Sequence, residues 1–147
     1  MYKKVAFLSM DSLENFYTYD KLLFEPLKTL GWMAEEISWR NETVDWSDFN
    51  AVIVRSTWDY QNDLAKFKNV LERINSVSHL ENNLDLMNWN MNKNYLFDLE
   101  QKGITIVDTI WEKNFISSEA HHYFDKLNAD EIIIKPNVSA SADNTFR

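Results

Sequence analysis

The chain has 147 residues, a formal net charge of -8, 45% hydrophobic residues and no cysteine. This length fits one domain, or one domain with the start of a second. The acidic balance argues against a nucleic-acid or anionic-membrane partner, and the lack of cysteine excludes disulfides and thiolate metal sites. No apolar run reaches the roughly 20 residues that span a bilayer, and no export signal is recognisable, so we expect a soluble cytoplasmic protein.

The first half of the chain alternates short apolar runs with stretches whose apolar residues recur every three or four positions. The run from Val5 to Ser9 is nearly unbroken, which is typical of a strand buried on both faces. Alternation of this kind favours an α/β fold with a parallel sheet and right-handed crossovers. The predicted strands are Val5 to Ser9, Trp32 to Trp39, Ala51 to Arg55 and Ser76 to Leu80; the predicted helices are Tyr19 to Leu30 and Asp63 to Asn75.

Two local signals refine these helices. Pro26 lies inside the first one and predicts a kink or a late start, because proline has no N–H group to donate. Asn62 is the expected cap of the second helix. Further along, the pattern predicts helices over Met91 to Lys102 (closed by Gly103) and Ser117 to Leu127, an extended segment at Thr105 to Val107, and a strand at Ile132 to Lys135.

Ligands of parallel α/β sheets bind at the carboxyl ends of the strands. The first predicted strand opens into Asp11, and the third opens into Arg55-Ser56-Thr57-Trp58-Asp59-Tyr60. An arginine can hold a carboxylate through two hydrogen bonds, hydroxyl groups can donate or accept, and an aspartate can hold an amine. The alternative is that Arg55 pairs with an acidic neighbour such as Asp59, while Trp58 and Tyr60 pack in the core.

Two lysines occupy positions that ordinary structural preferences disfavour. Lys93 falls in the first turn of a predicted helix, where the helix dipole disfavours a cation by about 0.3–1 kcal/mol. Lys135 ends an apolar run, and burying an unpaired ammonium group costs several kcal/mol. A loop of small residues follows Pro136, and such loops let backbone amides approach a phosphate. Each lysine alone is explained equally simply as a solvated side chain; together with the loop they indicate a bound polyphosphate, although neither GxxxxGK[ST] nor GxGxxG is present.

Three blocks, in this order and spacing, carry a family resemblance: AVIVRSTWDY (51–60), NWNMNKNYLFDLEQKGI (88–104) and IIIKPNVSASADNTFR (132–147). They resemble the start of an ATP-grasp ligase, in the glutathione-synthetase-like group that includes the O-ureido-serine cyclo-ligase of cycloserine biosynthesis. The resemblance implies a Rossmann-like parallel sheet, the pre-ATP-grasp substrate domain, over residues 1–88. A linker helix and the beginning of the ATP-grasp nucleotide-binding domain would follow over residues 89–147.

The resemblance also assigns roles to residues. Lys93 would reach the nucleotide phosphates, and Lys135 would lie near the α-phosphate and adenine. Ser139, Ser141 and Thr145 would belong to the loop that closes over the phosphates. The substrate crevice would be faced by Asp11, Arg55, Ser56, Thr57, Asp59 and Tyr60.

The implied reaction uses ATP and Mg²⁺. ATP phosphorylates a small-molecule carboxylate substrate, and an amine substrate then attacks the acyl phosphate to form an amide. This chemistry needs cations rather than a side-chain nucleophile, in agreement with the absence of a Ser/His/Asp or Cys/His set. In the family the Mg²⁺ ligands lie far downstream, so we expect them beyond Arg147 and expect this chain alone to be an inactive N-terminal fragment.

Two alternatives belong to other functional classes. A receiver-like domain would be non-catalytic here, because the third predicted strand ends in Arg55 instead of a phospho-accepting aspartate. A stand-alone small-molecule-binding α/β domain would use Arg55 and Asp59 as its contacts and would leave Lys93 without a role. A homodimer formed through an exposed sheet edge is compatible with any of these.

Overall fold

A computed structural model describes residues 2–147. The chain divides into two compact units, Met1–Trp89 and Asn90–Arg147. The first unit is built on a parallel sheet of four strands in the order β2-β1-β3-β4. The prediction of an α/β fold with a parallel sheet is therefore confirmed. The strands are β1 (Lys3–Ser9), β2 (Trp32–Ser38), β3 (Ala51–Ser56) and β4 (His79–Glu81).

The strand order places a topological switch point at the centre of the sheet. Strand β1 pairs with both β2 and β3, and Val5 lies opposite Ala34 on one side and Ala51 on the other. The chain moves outward from β1 to β2 and then crosses back to β3. Because the crossover direction reverses between β1 and β3, a crevice is expected at the carboxyl ends of these two strands.

Apolar side chains fill both faces of the sheet. Val5, Phe7 and Ala51 form a buried cluster that is covered by Phe24 and Leu27 of helix α1 (Phe24–Thr29). Successive strand residues point to opposite faces, so Ala6, Leu8 and Val52, all 0% exposed, belong to the other face. Helix α2 (Leu64–Val77) buries Phe67, Leu71 and Ile74 completely. Full burial of each such side chain contributes about 1.5–3 kcal/mol.

The late helix start predicted at Pro26 is confirmed. Residues Asp20–Leu23 form a 3-10 turn, and α1 begins at Phe24, so Pro26 lies in the first helical turn, where its missing N–H costs nothing. The predicted cap of α2 is wrong. Asp63, rather than Asn62, accepts a hydrogen bond from the Lys66 backbone N–H at 3.1 Å, because the side chain directly preceding the first helical residue reaches that donor.

The helices of the later part of the chain are shorter than predicted. Helix α3 covers Leu84–Asn90 and is followed by a turn. Helix α4 covers Tyr95–Gln101, so residues 91–94, predicted as helical, lie in that turn. Gly103 closes α4 with a left-handed backbone and donates to the Glu100 carbonyl at 2.8 Å. Helix α5 covers His121–Leu127 after a 3-10 turn at Ser117–Glu119.

The strand predicted at Ile132 to Lys135 is wrong. In its place Ile134 forms an isolated antiparallel bridge with Phe146, with both N–H···O bonds at 2.8 Å. Residues 105–107, predicted as extended, also belong to no strand. A β-strand exists only where a neighbouring chain continues its ladder of hydrogen bonds, and one bridge does not do so. Among residues 2–147, every helix is too short or too polar to cross a membrane.

Candidate functional site

An ion pair lies at the carboxyl end of β3. Arg55 contacts Asp20 through two nitrogens, with Nη2 2.6 Å and Nε 2.8 Å from Oδ1. The other carboxylate oxygen, Oδ2, accepts a hydrogen bond from the Ser56 hydroxyl at 2.6 Å. The Asp20 side chain is 2% exposed, whereas that of Arg55 is 38% exposed. The pair therefore has one buried and one solvent-accessible partner.

The burial of Asp20 is made tolerable by these contacts. An ionised carboxylate removed from water costs several kcal/mol unless it is paired and hydrogen-bonded, and here both of its oxygens have partners. Sequence reasoning did not identify Asp20. It is 35 residues from Arg55, and its only local signal is an acidic residue at the start of a helical stretch. The pairing of Arg55 with Asp59, considered above, does not occur.

Asp59 belongs to a second polar network, at the end of β2. Its Oδ2 accepts from Arg40 Nε at 2.9 Å, and its Oδ1 accepts from the Trp39 indole N–H at 2.7 Å. The Arg40 guanidinium also lies over the Trp39 ring, 4.0 Å from its centroid. Asp59 would have to exchange one of these partners to hold a substrate amine, so that role stays a prediction.

The remaining predicted substrate residues occupy the same edge of the sheet. Asp11 is exposed and accepts from the Ser38 hydroxyl at 2.5 Å. Thr57 is 4% exposed and its carbonyl accepts from the Tyr60 N–H at 3.1 Å. The Tyr60 ring packs 5.6 Å from that of Phe67. The strand ends thus bring together Arg55, Ser56 and the unpredicted Asp20 in one network, and Asp59 with Arg40 in another.

In the second unit, Lys93 is tied to the loop that follows Pro136. Its ammonium donates to the Ser139 hydroxyl at 2.7 Å and to the Ser139 carbonyl at 3.2 Å. Its backbone N–H donates to the Asn137 carbonyl at 2.9 Å, and the Asn137 side chain donates to Asn94 Oδ1 at 3.0 Å. The segment around Lys93 and the small-residue loop, far apart in sequence, therefore form one structure.

The charge of Lys93 is poorly compensated. Burial, and secondarily the positive charge of Lys135, lower the pKa of the Lys93 ammonium below its usual value. Within the described part of the chain neither lysine forms an ion pair with a carboxylate. Two cations that repel each other and lack a counter-charge make a favourable position for an anion.

The loop itself has an unusual backbone. Ser141, Ala142 and Asn144 have φ of 52°, 59° and 51°, and a left-handed non-glycine residue costs about 1–3 kcal/mol. Turn hydrogen bonds join the Asp143 N–H to the Ala140 carbonyl and the Thr145 N–H to the Ala142 carbonyl. Ser139 is brought to Lys93, whereas Ser141 and Thr145 have no recorded hydrogen bond to either lysine across residues 2–147.

Two surface cavities lie elsewhere. One of about 370 Å³ is lined in part by Glu35, Glu36, Asp45 and Asp48. The other, of about 480 Å³, is lined by Glu112, Glu119, His122, Tyr123, Asp125 and Lys126. Acidic side chains outnumber basic ones in both linings, and neither lining includes a predicted site residue, so neither cavity is suited to a polyphosphate.

One family of known proteins matches a large part of the first unit. The family described as D-cycloserine synthetase DcsG, N-terminal domain, matches residues 5–82. The cycloserine biosynthesis protein DcsG of Streptomyces lavendulae is 38% identical over 87 residues, which are 59% of this chain and 29% of that protein.

The similarity to a solved structure extends over both units. The crystal structure of D-cycloserine synthetase DcsG matches with a TM-score of 0.82 and 28% identity, over 97% of this chain and 49% of that chain. The chain thus spans about half the length of the solved relative.

Proposed function

The chain belongs to the DcsG N-terminal domain family, and on that premise we propose that it forms the N-terminal part of an ATP-dependent ligase that joins a carboxylate to an amine. In this proposal the sheet of Met1–Trp89 is a Rossmann-like pre-ATP-grasp domain that binds substrates. The segment Asn90–Arg147 begins the nucleotide-binding domain. The similarity to a protein named as a synthetase, over 97% of this chain, supports the proposal.

The observation that carries the proposal is the uncompensated charge around Lys93. Among residues 2–147, the acceptors of its ammonium are two neutral oxygens of Ser139, and its pKa is lowered by burial and by Lys135. Phosphate oxygens would replace the Ser139 hydroxyl with charged acceptors. The Coulombic attraction between opposite charges, which a neutral hydroxyl cannot supply, favours the exchange.

The chemistry fits a chain without a nucleophile. ATP bound with Mg²⁺ would supply the phosphoryl group that converts the substrate carboxylate into an acyl phosphate, with release of ADP; the amine substrate would then displace phosphate to form the amide. Lys93 and Lys135 would hold phosphate oxygens, and the loop from Ser139 to Thr145 would exclude water from them. No set of three or more His, Asp or Glu residues is arranged to hold a metal within residues 2–147.

Nucleotide binding tests this proposal. We would titrate the chain with ATP by calorimetry at fixed ionic strength, and compare the wild type with Lys93→Glu. Losing one charge-assisted contact and adding a repulsive charge should weaken ATP binding by at least tenfold, since 1.4 kcal/mol corresponds to a factor of about ten.

Lys102→Glu is the matched control. Lys102 is exposed, follows helix α4 in the same unit, and carries the same charge. Its reversal should leave the ATP affinity within about twofold, because a solvated charge outside the site is screened. Equal effects of both variants, or undiminished binding by Lys93→Glu, would contradict a phosphate site at Lys93.

A further inference from the structure

Arg55 is engaged along only one side of its guanidinium. Its Nε–H donates to Asp20 Oδ1, and the adjacent Nη2 contacts the same oxygen. Arginine carries five N–H donors in a planar fork. The donors on Nη1 and on the outer side of Nη2 have no hydrogen-bond partner recorded within residues 2–147. This outer side has the geometry that binds a carboxylate through two parallel hydrogen bonds.

The pair is also held rigidly. Asp20 cannot rotate freely, because Oδ1 holds Arg55 while Oδ2 accepts from the Ser56 hydroxyl at 2.6 Å. The guanidinium carbon lies 5.9 Å from the centroid of the Phe7 ring, so an aromatic ring adjoins the guanidinium inside the protein. A receptor fixed in its binding orientation loses less entropy when a ligand binds.

Exposure and position distinguish this arrangement from a wholly buried ion pair. Asp20 is enclosed, whereas the Arg55 side chain keeps 38% of its surface exposed. Arg55 precedes the last residue of β3, at the switch point between β1 and β3, where ligands of such sheets bind. The available donors therefore lie at the expected crevice.

We propose that Arg55 is the receptor for a carboxylate group of a small substrate, and that Asp20 is the positioning residue that fixes its guanidinium. This inference deepens the proposed function. Only the identification of the carboxylate as part of a ligase substrate rests on that function. Ser56 acts through Asp20 by holding Oδ2. The arrangement selects a planar anion with two oxygens over a spherical one of the same charge.

Arg40 provides a comparison at the same edge of the sheet. Asp59 holds its Nε, but one face of its guanidinium lies over the Trp39 ring and its side chain is 25% exposed. It is therefore less accessible than Arg55. Arg40→Lys makes the same change from guanidinium to ammonium at the same edge and keeps the charge, so it separates a specific receptor at Arg55 from a general effect of replacing an arginine.

The test is a titration of the ¹⁵N-labelled chain with sodium acetate and, separately, with sodium chloride, followed by NMR at the Arg55 Nε–Hε signal. In the wild type, acetate should produce a saturable shift at an at least tenfold lower concentration than chloride. Arg55→Lys, read from neighbouring backbone amides, should bind acetate at least tenfold more weakly, because lysine lacks the planar fork. Arg40→Lys should bind acetate as the wild type does.

Asp20→Asn addresses the positioning role. It removes the carboxylate charge that orients the guanidinium, so the preference for acetate over chloride should disappear, even where total anion affinity rises. An acetate preference that persists in Asp20→Asn overturns the positioning role. Acetate binding that persists in Arg55→Lys, or that is lost in Arg40→Lys, overturns the receptor.

Ser56→Ala keeps the positioning role testable if Asp20→Asn unfolds. It removes only the hydroxyl that holds Oδ2, and circular dichroism melting reports whether the fold survives. The same reduced preference for acetate is expected, and an unchanged preference counts against the positioning role.

The ligase proposal is judged separately: Arg55→Lys should leave ATP binding unchanged. ATP binding that is undiminished in Lys93→Glu, together with acetate binding that depends on Arg55, would remove the ligase and leave the receptor.

Discussion

Lys93 and Ser139, 46 residues apart in the sequence, are joined by a hydrogen bond of 2.7 Å between the lysine ammonium and the serine hydroxyl. The contact brings Lys93 against a loop that contains three left-handed non-glycine residues, Ser141, Ala142 and Asn144. A serine hydroxyl satisfies a donor but does not neutralise its charge. The loop therefore positions the ammonium without neutralising its charge.

The first prediction concerns the titration of Lys93. The like charge of Lys135 is one of the two causes that lower the Lys93 pKa, so Lys135→Met should raise that pKa toward its ordinary value. Burial, the larger cause, stays, and the pKa should remain below that of a solvated lysine. The measurement is an NMR pH titration of the Lys93 side chain.

Lys102→Met is the control for this titration, because it removes an exposed charge from the same unit. It should leave the Lys93 pKa unchanged. The lowering of the Lys93 pKa on folding also affects stability. Between the folded and the unfolded pKa, the unfolded state holds more protons than the folded state, so the free energy of unfolding rises with pH. The destabilisation by Lys93 is therefore complete below the folded pKa and is lost above the unfolded one. A Lys93 pKa that falls in Lys135→Met would contradict the proximity of the two charges.

The second prediction concerns the pair of Asp20 and Arg55. Arg55→Met should lower the free energy of unfolding by about 3 kcal/mol, the lower end of the range for broken buried pairs, because it leaves a buried carboxylate with only the Ser56 hydroxyl. Adding Asp20→Asn to that variant removes the uncompensated charge. The double variant should therefore be more stable than Arg55→Met alone, by about 1 kcal/mol or more.

Urea unfolding followed by circular dichroism gives these free energies. In the wild-type background Asp20→Asn should lower the free energy of unfolding, whereas in the Arg55→Met background it should raise it. Additive effects of the two substitutions would show that the side chains are not coupled. The buried Asp20 carboxylate would then be stabilised by contacts other than Arg55.

The third prediction concerns the start of helix α2. Asp63 caps the helix by accepting from the Lys66 N–H at 3.1 Å, and Asp63→Ala should cost about 0.5–2 kcal/mol of unfolding free energy. The adjacent Asn62→Ala should change it by less than about 0.5 kcal/mol, as is usual for surface substitutions. Thermal melts of the two variants decide the matter, and an equal loss in Asn62→Ala would move the cap back to Asn62.

The sequence by itself determined the two central strands of the sheet, whereas the strand predicted at Ser76 to Leu80 begins only at His79, because Ser76 and Val77 still belong to helix α2. The apolar run at Val5 to Ser9 and the run beginning at Ala51 predicted strands that the structure contains as β1 and β3. Pro26 predicted a kink or a late start of the first helix, and the late start is what the structure has, because the proline ring constrains its own and neighbouring backbone angles. Such signals are local, so they can be read without knowledge of contacts between distant segments.

Only the tertiary structure decided which polar groups meet. Asp20 lies at Arg55 because the 3-10 turn at Asp20–Leu23, helix α1 and the strands of the sheet bring together two residues that are 35 positions apart. No local sequence preference encodes that contact. The predicted strand at Ile132 to Lys135 failed for a related reason. Its composition suits a strand, but a strand is completed by hydrogen bonds to a partner chain, and Ile134 finds only the single bridge to Phe146.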